Sequence, residues 1–363
     1  MNIFSNITTK KAETTAAGSR VYVRNFGNIA EEYNALRTGA ILYDCGDYGI
    51  FEVTGDDASD YLESLSTKDV SFMNISAITE SCFLNDDAEM ICPAFIVKKE
   101  DKYIVITFWE FADAAYEWMQ SAADGFSVEV KDISPDVSLL TVEGCCSWKI
   151  IKSVFDTEIE NIALQTVQDV SYKDSEVSIM RIGRTSEYAY MILGNTAAGS
   201  SVYSDVLSCG SECDFPVCEG GFDCIEAAML EVHQPNFIRE SGKFGNIFEL
   251  SQQWYIHHDK EDYHGFEKIR EIIENGIEKS AVCFISEDAD VIEPGTAVMD
   301  EENNEAGKVV YSLLAPKFGK ALGIAVLNDP YGQPNLTFTA GTKKIDTVSS
   351  PVVRPLSWDM KME

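Results

Sequence analysis

Basic residues are scarce in this chain: 28 lysines and arginines stand against 60 aspartates and glutamates in 363 residues, a formal net charge of −32. A surface of that sign repels polyanions, so nucleic acid and anionic membranes are excluded as partners. No stretch approaches an uncharged membrane span. The start, Met1 to Ser19, is polar, with Lys10 and Lys11 and no apolar core of signal-peptide length, so the expected location is cytoplasmic. Histidine is nearly absent, with only His233, His257, His258 and His264, and the ten cysteines follow no regular framework. Cys209, Cys213, Cys218 and Cys224 lie close together without a paired C-x-x-C spacing, so no metal is expected and the thiols read as reduced.

What is present is apolar material, 45% of residues, enough to pack two or three domains. Ala30 to Thr38 fits a helix, Ile50 to Val53 a strand, and Asp56 to Leu65 a second helix with Asp56 as its cap and Ala58, Tyr61, Leu62 and Leu65 on one face. Strands are expected at Cys82 to Asn85, Cys92 to Val97 and Tyr103 to Thr107, then a helix at Phe111 to Gln120. A similar cycle begins at Val137 to Val142, with helices at Ser147 to Phe155 and Ser200 to Leu207 around a hairpin, which points to a duplicated topology. Ser208 to Gly221 reads as a loop before a helix at Phe222 to Val232. Beyond Gly276 the pattern turns to short strands parted by turns. The fold class expected is α+β, mixed and antiparallel sheets with packed helices, with two interleaved subdomains in residues 1–279 and a small barrel-like antiparallel β domain in 280–363.

The most informative segment is Arg181 to Ile192, RIGRTSEYAYMI. Gly183 and Ser186 interrupt two strand-like runs, which sets Glu187 beside a turn. A carboxylate held there can accept two parallel hydrogen bonds from a flat, nitrogen-rich ring. Against so acidic a background, Arg181, Arg184, Arg239, Lys243, Lys317 and Lys320 are the residues able to offset the field locally for an anionic ligand.

Several separated stretches resemble, in order and spacing, the glycine cleavage T-protein family, the tetrahydrofolate-dependent aminomethyltransferases, together with their folate-dependent demethylase relatives. Glu32 to Asp44 is similar to the family's "E…A-x-R-x-x-x-G-L-F-D" run, Phe51 to Ala58 continues it, and Ser66 to Val70 parallels "L-T-N-D-V". Arg181 to Ile192 lies without gaps on "R-T-G-Y-T-G-E-D-G-F-E-I". Trp254 to Gly265 fits "W-A-V-K-L-D-K-x-D-F-I-G", and Gly307 to Ala325 fits "G-x-V-T-S…S-P-x-L-G-K-x-I-A". The resemblance implies three domains around a folate site, tetrahydrofolate as cofactor, and Glu187 as the pterin-binding carboxylate. It places Glu231 at a second acidic position; the neighbouring aromatics Tyr188, Tyr190 and Trp254 are the candidates to wall the ring, and Arg239 and Lys243, in a loop rich in Gly, Ser and Asn, those to hold the anionic glutamyl tail.

The chain departs from the family at Asn85 to Val97, where "N-x-x-G-G-I-I-D-D-L-I-V" carries paired aspartates and this sequence offers Cys92, Pro93 and Ala94. Asp87 and Glu89 in the adjoining turn, with His257 and His258, are the remaining acid–base candidates. Thr107 and Phe108 replace the family's "V-N-A" strand end, and with Cys92 and Trp109 they make an expected substrate pocket suited to an apolar or cationic methyl donor. The function expected first is therefore methyl transfer to tetrahydrofolate from a small donor such as a methyl ether, sulfonium or methylamine, with a methyl-carrier protein left open as partner. The alternatives are aminomethyl transfer of the glycine-cleavage kind and non-catalytic folate binding. The "K-G-C-Y-x-G-Q-E" motif of the family's iron–sulfur-assembly branch has no equivalent around Val232 to Gly245.

Overall fold

The computed structural model describes residues 12–18, 20–242 and 244–362. A hairpin, β1 (Glu13–Ala17) and β2 (Arg20–Asn25), precedes helix α1 (Ile29–Thr38), where the Asn28 side chain accepts from the Glu31 amide at 3.2 Å and caps the first turn. There follow β3 (Ala40–Asp44), β4 (Gly49–Thr54), α2 (Ala58–Leu65), the meander β5 (Ile78–Leu84), β6 (Met90–Lys98) and β7 (Tyr103–Thr107), then α3 (Ala112–Ser121) and β8 (Glu129–Asp132). The cycle repeats as β9 (Val137–Glu143), α4 (Ser147–Phe155), the meander β10 (Val167–Tyr172), β11 (Ser175–Met180) and β12 (Ala189–Asn195), then α5 (Thr196–Gly210) and β13 (Val217–Glu219). Helices α6 (Phe222–Val232), α7 (Phe237–Glu240) and α8 (Phe266–Asn275) lead to β14 (Lys279–Ser286), β15 (Ala297–Met299), β16 (Glu305–Ala315), β17 (Lys320–Asn328), β18 (Thr337–Ala340) and β19 (Lys343–Val348).

The two cycles give two sheets, ordered β5-β6-β7-β4-β8 and β10-β11-β12-β9-β3-β13. Each repeats strand, helix, meander, helix, strand. The second differs by accepting β3 between β9 and the last strand, with β13 running parallel to β3. Alternation along β6 sorts its side chains between two cores. Cys92, Ala94 and Ile96 pack with Phe51, Leu62 and Met119 beneath α2 and α3, whereas Phe95 and Val97 join a central core with Leu36, Leu139, Met180 and Phe222. β14 to β19 close into a six-stranded barrel in the order β14-β17-β16-β15-β18-β19, filled by Phe284, Val298, Leu327 and Ile345. Closure satisfies every strand edge, the usual solution for a small antiparallel sheet. Among the described residues, no helix is long and apolar enough to cross a membrane.

Two local expectations are corrected. The α2 helix begins at Ala58 with Asp57 at its cap position and no side-chain cap bond; the Asp57 carboxylate instead accepts from the Ser127 amide at 2.7 Å, tying the helix start to the strand that follows α3. The stretch Ser208 to Gly221 is not all loop, because Val217–Glu219 adds to the edge of the second sheet. After β19 the chain turns back: the Val352 amide donates to the Glu231 carbonyl oxygen at 2.6 Å and the last residues settle beside the Arg181–Ala189 segment.

Candidate functional site

The connection between β11 and β12 is pinned from below. The Oε1 of Glu143, on β9, accepts from the Arg184 and Thr185 amides at 3.0 and 2.8 Å and from the Thr185 hydroxyl at 2.5 Å. Burial pushes this carboxyl up and those bonds oppose the shift. Gly183 lies so close to β12 that an added Cβ would stand 2.1 Å from the Ala189 Cβ, so no other residue fits there. Ser186 takes a left-handed conformation, φ 60°, and delivers Glu187 beside the turn.

Glu187 faces the protein. Its Oε1 accepts from Arg37 Nη1 at 3.0 Å and the Leu356 amide at 3.2 Å; its Oε2 accepts from the Ser357 amide at 2.9 Å and the Ser357 hydroxyl at 2.6 Å. An ionised carboxylate offers about four lone-pair sites, and the chain fills all four. Glu231 is equally enclosed, accepting from Tyr33 Oη at 2.7 Å and Arg37 Nη2 at 2.6 Å. The two glutamates expected to hold a cofactor are thus brought together, but by the buried Arg37 that bridges them. A cation between two desolvated carboxylates repays part of the cost of burying all three.

Open space lies next to them. A cavity of about 330 Å³ is lined by Glu80, Gln165, Arg181, Tyr188, Gln234 and Trp358 among others, within the size range of small-ligand sites. Leu164 and Trp358 stand at it with 70% and 54% of their surfaces exposed. Tyr188 is held by its hydroxyl, which donates to the Met360 carbonyl oxygen at 2.6 Å, and the Arg181 guanidinium lies 5.6 Å from its ring centroid. Glu80 comes from β5, directly across from Phe95 on β6. Its Oε2 accepts from Tyr255 Oη at 3.1 Å and lies 4.0 Å from Arg184 Nη1. Arg184 is buried against the Phe108 and Phe95 rings, 4.7 and 5.6 Å from their centroids, with Nη2 donating to the Pro235 carbonyl oxygen at 3.0 Å.

The four residues expected to line a substrate pocket are packed into the interior. Cys92 belongs to the core under α2 and α3, where burial pushes its thiol up and away from nucleophilic use. The Thr107 hydroxyl donates to the Pro93 carbonyl oxygen at 2.5 Å, Phe108 is taken up by Arg184, and Trp109 stacks on Tyr22 at 4.3 Å. All four are buried. Arg239 is held through two hydrogen bonds, at 2.7 and 3.0 Å, by Glu226, because α6 and α7 set the two side chains face to face; Lys243 lies outside the described residues. Trp254 is half-exposed against Tyr255, one residue away from the phenol that touches Glu80. His257 Nδ1 meets Asp69 at 2.8 Å, His258 is exposed in the same turn, and Asp87 and Glu89 line a separate cavity of about 510 Å³ with Ser241 and Gln252. Of the residues singled out by sequence, the cavity therefore gathers Tyr188, Arg181 and the backbone around Glu187. Glu80, Gln165 and Gln234 went unnoticed; the available signal for Glu80 was a lone charged residue inside a strand otherwise of apolar and hydroxyl side chains.

The sequence matches the family model described as the GCVT N-terminal domain over residues 6–260. It is 24% identical over 306 residues to an aminomethyltransferase of Bacillus subtilis, covering 84% of this chain and 83% of that protein. With an aminomethyltransferase of Caldanaerobacter subterraneus subsp. tengcongensis it shares 23% over 310 residues, 85% of this chain and 82% of the other. In three dimensions it is similar to the glycine cleavage system aminomethyltransferase T from Bartonella henselae, with a TM-score of 0.84 at 17% identity over 95% of both chains.

Proposed function

The chain belongs to the glycine cleavage T-protein family, and from that membership we propose that it is a tetrahydrofolate-dependent one-carbon transferase of the aminomethyltransferase kind, working in the cytoplasm with a carrier protein that presents the one-carbon unit. The observation that carries this reading is the cavity beside the Arg181–Ala189 segment. A pterin is flat, with N–H donors along one edge. Tyr188, Leu164 and Trp358 supply apolar and aromatic faces, Glu80 an acceptor, and Gln165 and Gln234 groups that both donate and accept. Arg181 adds a positive charge where a folate carboxylate must approach an acidic protein. Tetrahydrofolate, when bound, supplies the nitrogen that takes the one-carbon unit. The protein's contribution is to hold that ring still and dry, which by itself lowers a barrier by several kcal/mol.

Methyl transfer from a small donor is the second reading. The observation in its favour is that β6 carries Cys92, Pro93 and Ala94 and no acid, and a donor that leaves as a neutral molecule needs none. It ranks behind aminomethyl transfer because Phe108 and Trp109, its expected aromatic walls, are packed into the protein. The products separate the two. With tetrahydrofolate and an aminomethylated carrier, the protein is expected to form methylene-tetrahydrofolate and release ammonia; methyl-tetrahydrofolate from a panel of methyl donors would support the second reading, and no product from either would overturn both.

A further inference from the structure

Given the folate reading above, we infer that Glu80, and not Glu187, is the carboxylate that reads the amino-substituted edge of the bound ring. Both residues stand at the cavity, Glu80 with its side chain partly accessible and Glu187 with its side chain fully buried. They differ in what remains open on them. Glu187 already accepts four hydrogen bonds from Arg37, Leu356 and Ser357, and a ligand could reach it only by displacing the C-terminal segment. Among the described residues Glu80 has a hydrogen bond on Oε2 alone, from Tyr255, and its side chain keeps 12% of its surface accessible. Oε1 is thus open to the cavity, and Oε2 retains a second lone pair, so two adjacent N–H groups of an aminopyrimidine can be accepted together.

The surroundings of Glu80 hold that carboxylate in place. Tyr255 is fully buried, and burial pushes its phenol far up, so it serves Glu80 as a fixed proton donor. Arg184, sandwiched by Phe95 and Phe108, places its charge 4.0 Å behind Glu80 without occupying Oε1. The cross-strand pairing of Glu80 with Phe95 fixes the side of the sheet from which the carboxylate projects. Tyr255 and Arg184 are therefore positioning residues for Glu80.

The test measures a preference and not an activity. Equilibrium dialysis would compare tetrahydrofolate with its 2-desamino analogue, which lacks the ring amino group, on the intact protein and on Glu80→Gln. The parent is expected to favour tetrahydrofolate by about tenfold to a hundredfold, the usual value of a hydrogen bond to a buried charged acceptor. Glu80→Gln should lose most of that preference while keeping the parent's urea midpoint and circular dichroism. Tyr255→Phe should lose part of it, as a positioning residue would. An unchanged preference in Glu80→Gln overturns the assignment and leaves the folate reading standing. A parent that binds no tetrahydrofolate overturns the folate reading and this inference with it.

Discussion

Arg37 makes the strongest single demand on the structure. It holds Glu187 and Glu231 by separate nitrogens, all three side chains being buried, so its loss leaves two carboxylates desolvated without a counter-charge. Arg37→Met is expected to cost about 3–5 kcal/mol, read from urea unfolding; a loss below 1 kcal/mol would show that water reaches the pair. Glu240 gives a pH prediction. Burial raises its carboxyl from an ordinary 4.5 to about 7, with the Asn236 amide and Gln252 opposing the shift. The folded chain then keeps a proton that the unfolded chain has already released. That contribution is fully present below pH 4.5 and is lost as the pH rises to about 7, a fall of about 3 kcal/mol across the window. Glu240→Gln should flatten this part of the stability profile, and an unchanged slope would contradict it. Glu187 was legible as a residue because it stands in a recognisable run. Its partner Ser357 was not, since 170 positions separate them and no local pattern links the two.

Whole elements were easier to read than their contacts. The α4 and α6 helices and β7 fall where their apolar runs put them: α4 buries one face, whereas α6 is buried nearly all round and β7 on both faces. β13 escaped notice: three residues in a run of Cys, Gly and Pro carry no period, and only the edge of β3 makes them a strand. β18 and β19 alternate between outward and buried positions but are only four and six residues long, and pairing within the closed barrel completes them. The C-terminal segment is the element whose role could not be read at all. Leu356 and Ser357 provide three of the four donors on Glu187, and Trp358 lines the cavity. Ending the chain at Pro355 should therefore lower stability by about 1–3 kcal/mol, the cost of leaving a buried acceptor short of donors, and weaken folate binding in the same protein. A truncated chain with the parent's urea midpoint would show that the segment only rests on the surface. Gly144 offers a second check, since at φ 140° an added Cβ would stand 2.4 Å from the Gly39 carbonyl oxygen. Gly144→Ala should destabilise the junction of β9 and α4 by about 1–3 kcal/mol, measured by the same unfolding.

At the scale of the whole molecule, two sheets of one topology enclose a central core and a barrel completes the fold. The α+β class and the C-terminal β region followed from pattern and resemblance together, whereas the position of the cavity depends on five separated segments meeting. The charge of −32 acts on the molecule as a unit. Self-repulsion should make the melting temperature rise when salt is increased from about 0.01 M to 0.15 M, where the screening length shrinks from about 30 Å to 8 Å; a fall would mean that the ion pairs outweigh the repulsion. The central claim is that tetrahydrofolate occupies the cavity beside Arg181–Ala189. Hydrogen–deuterium exchange of the intact protein with and without tetrahydrofolate tests it most directly. Protection is predicted at residues 181–189, 164–165 and 356–358 and around Glu80, whereas protection confined to 92–94 and 107–109, or none anywhere, would contradict it.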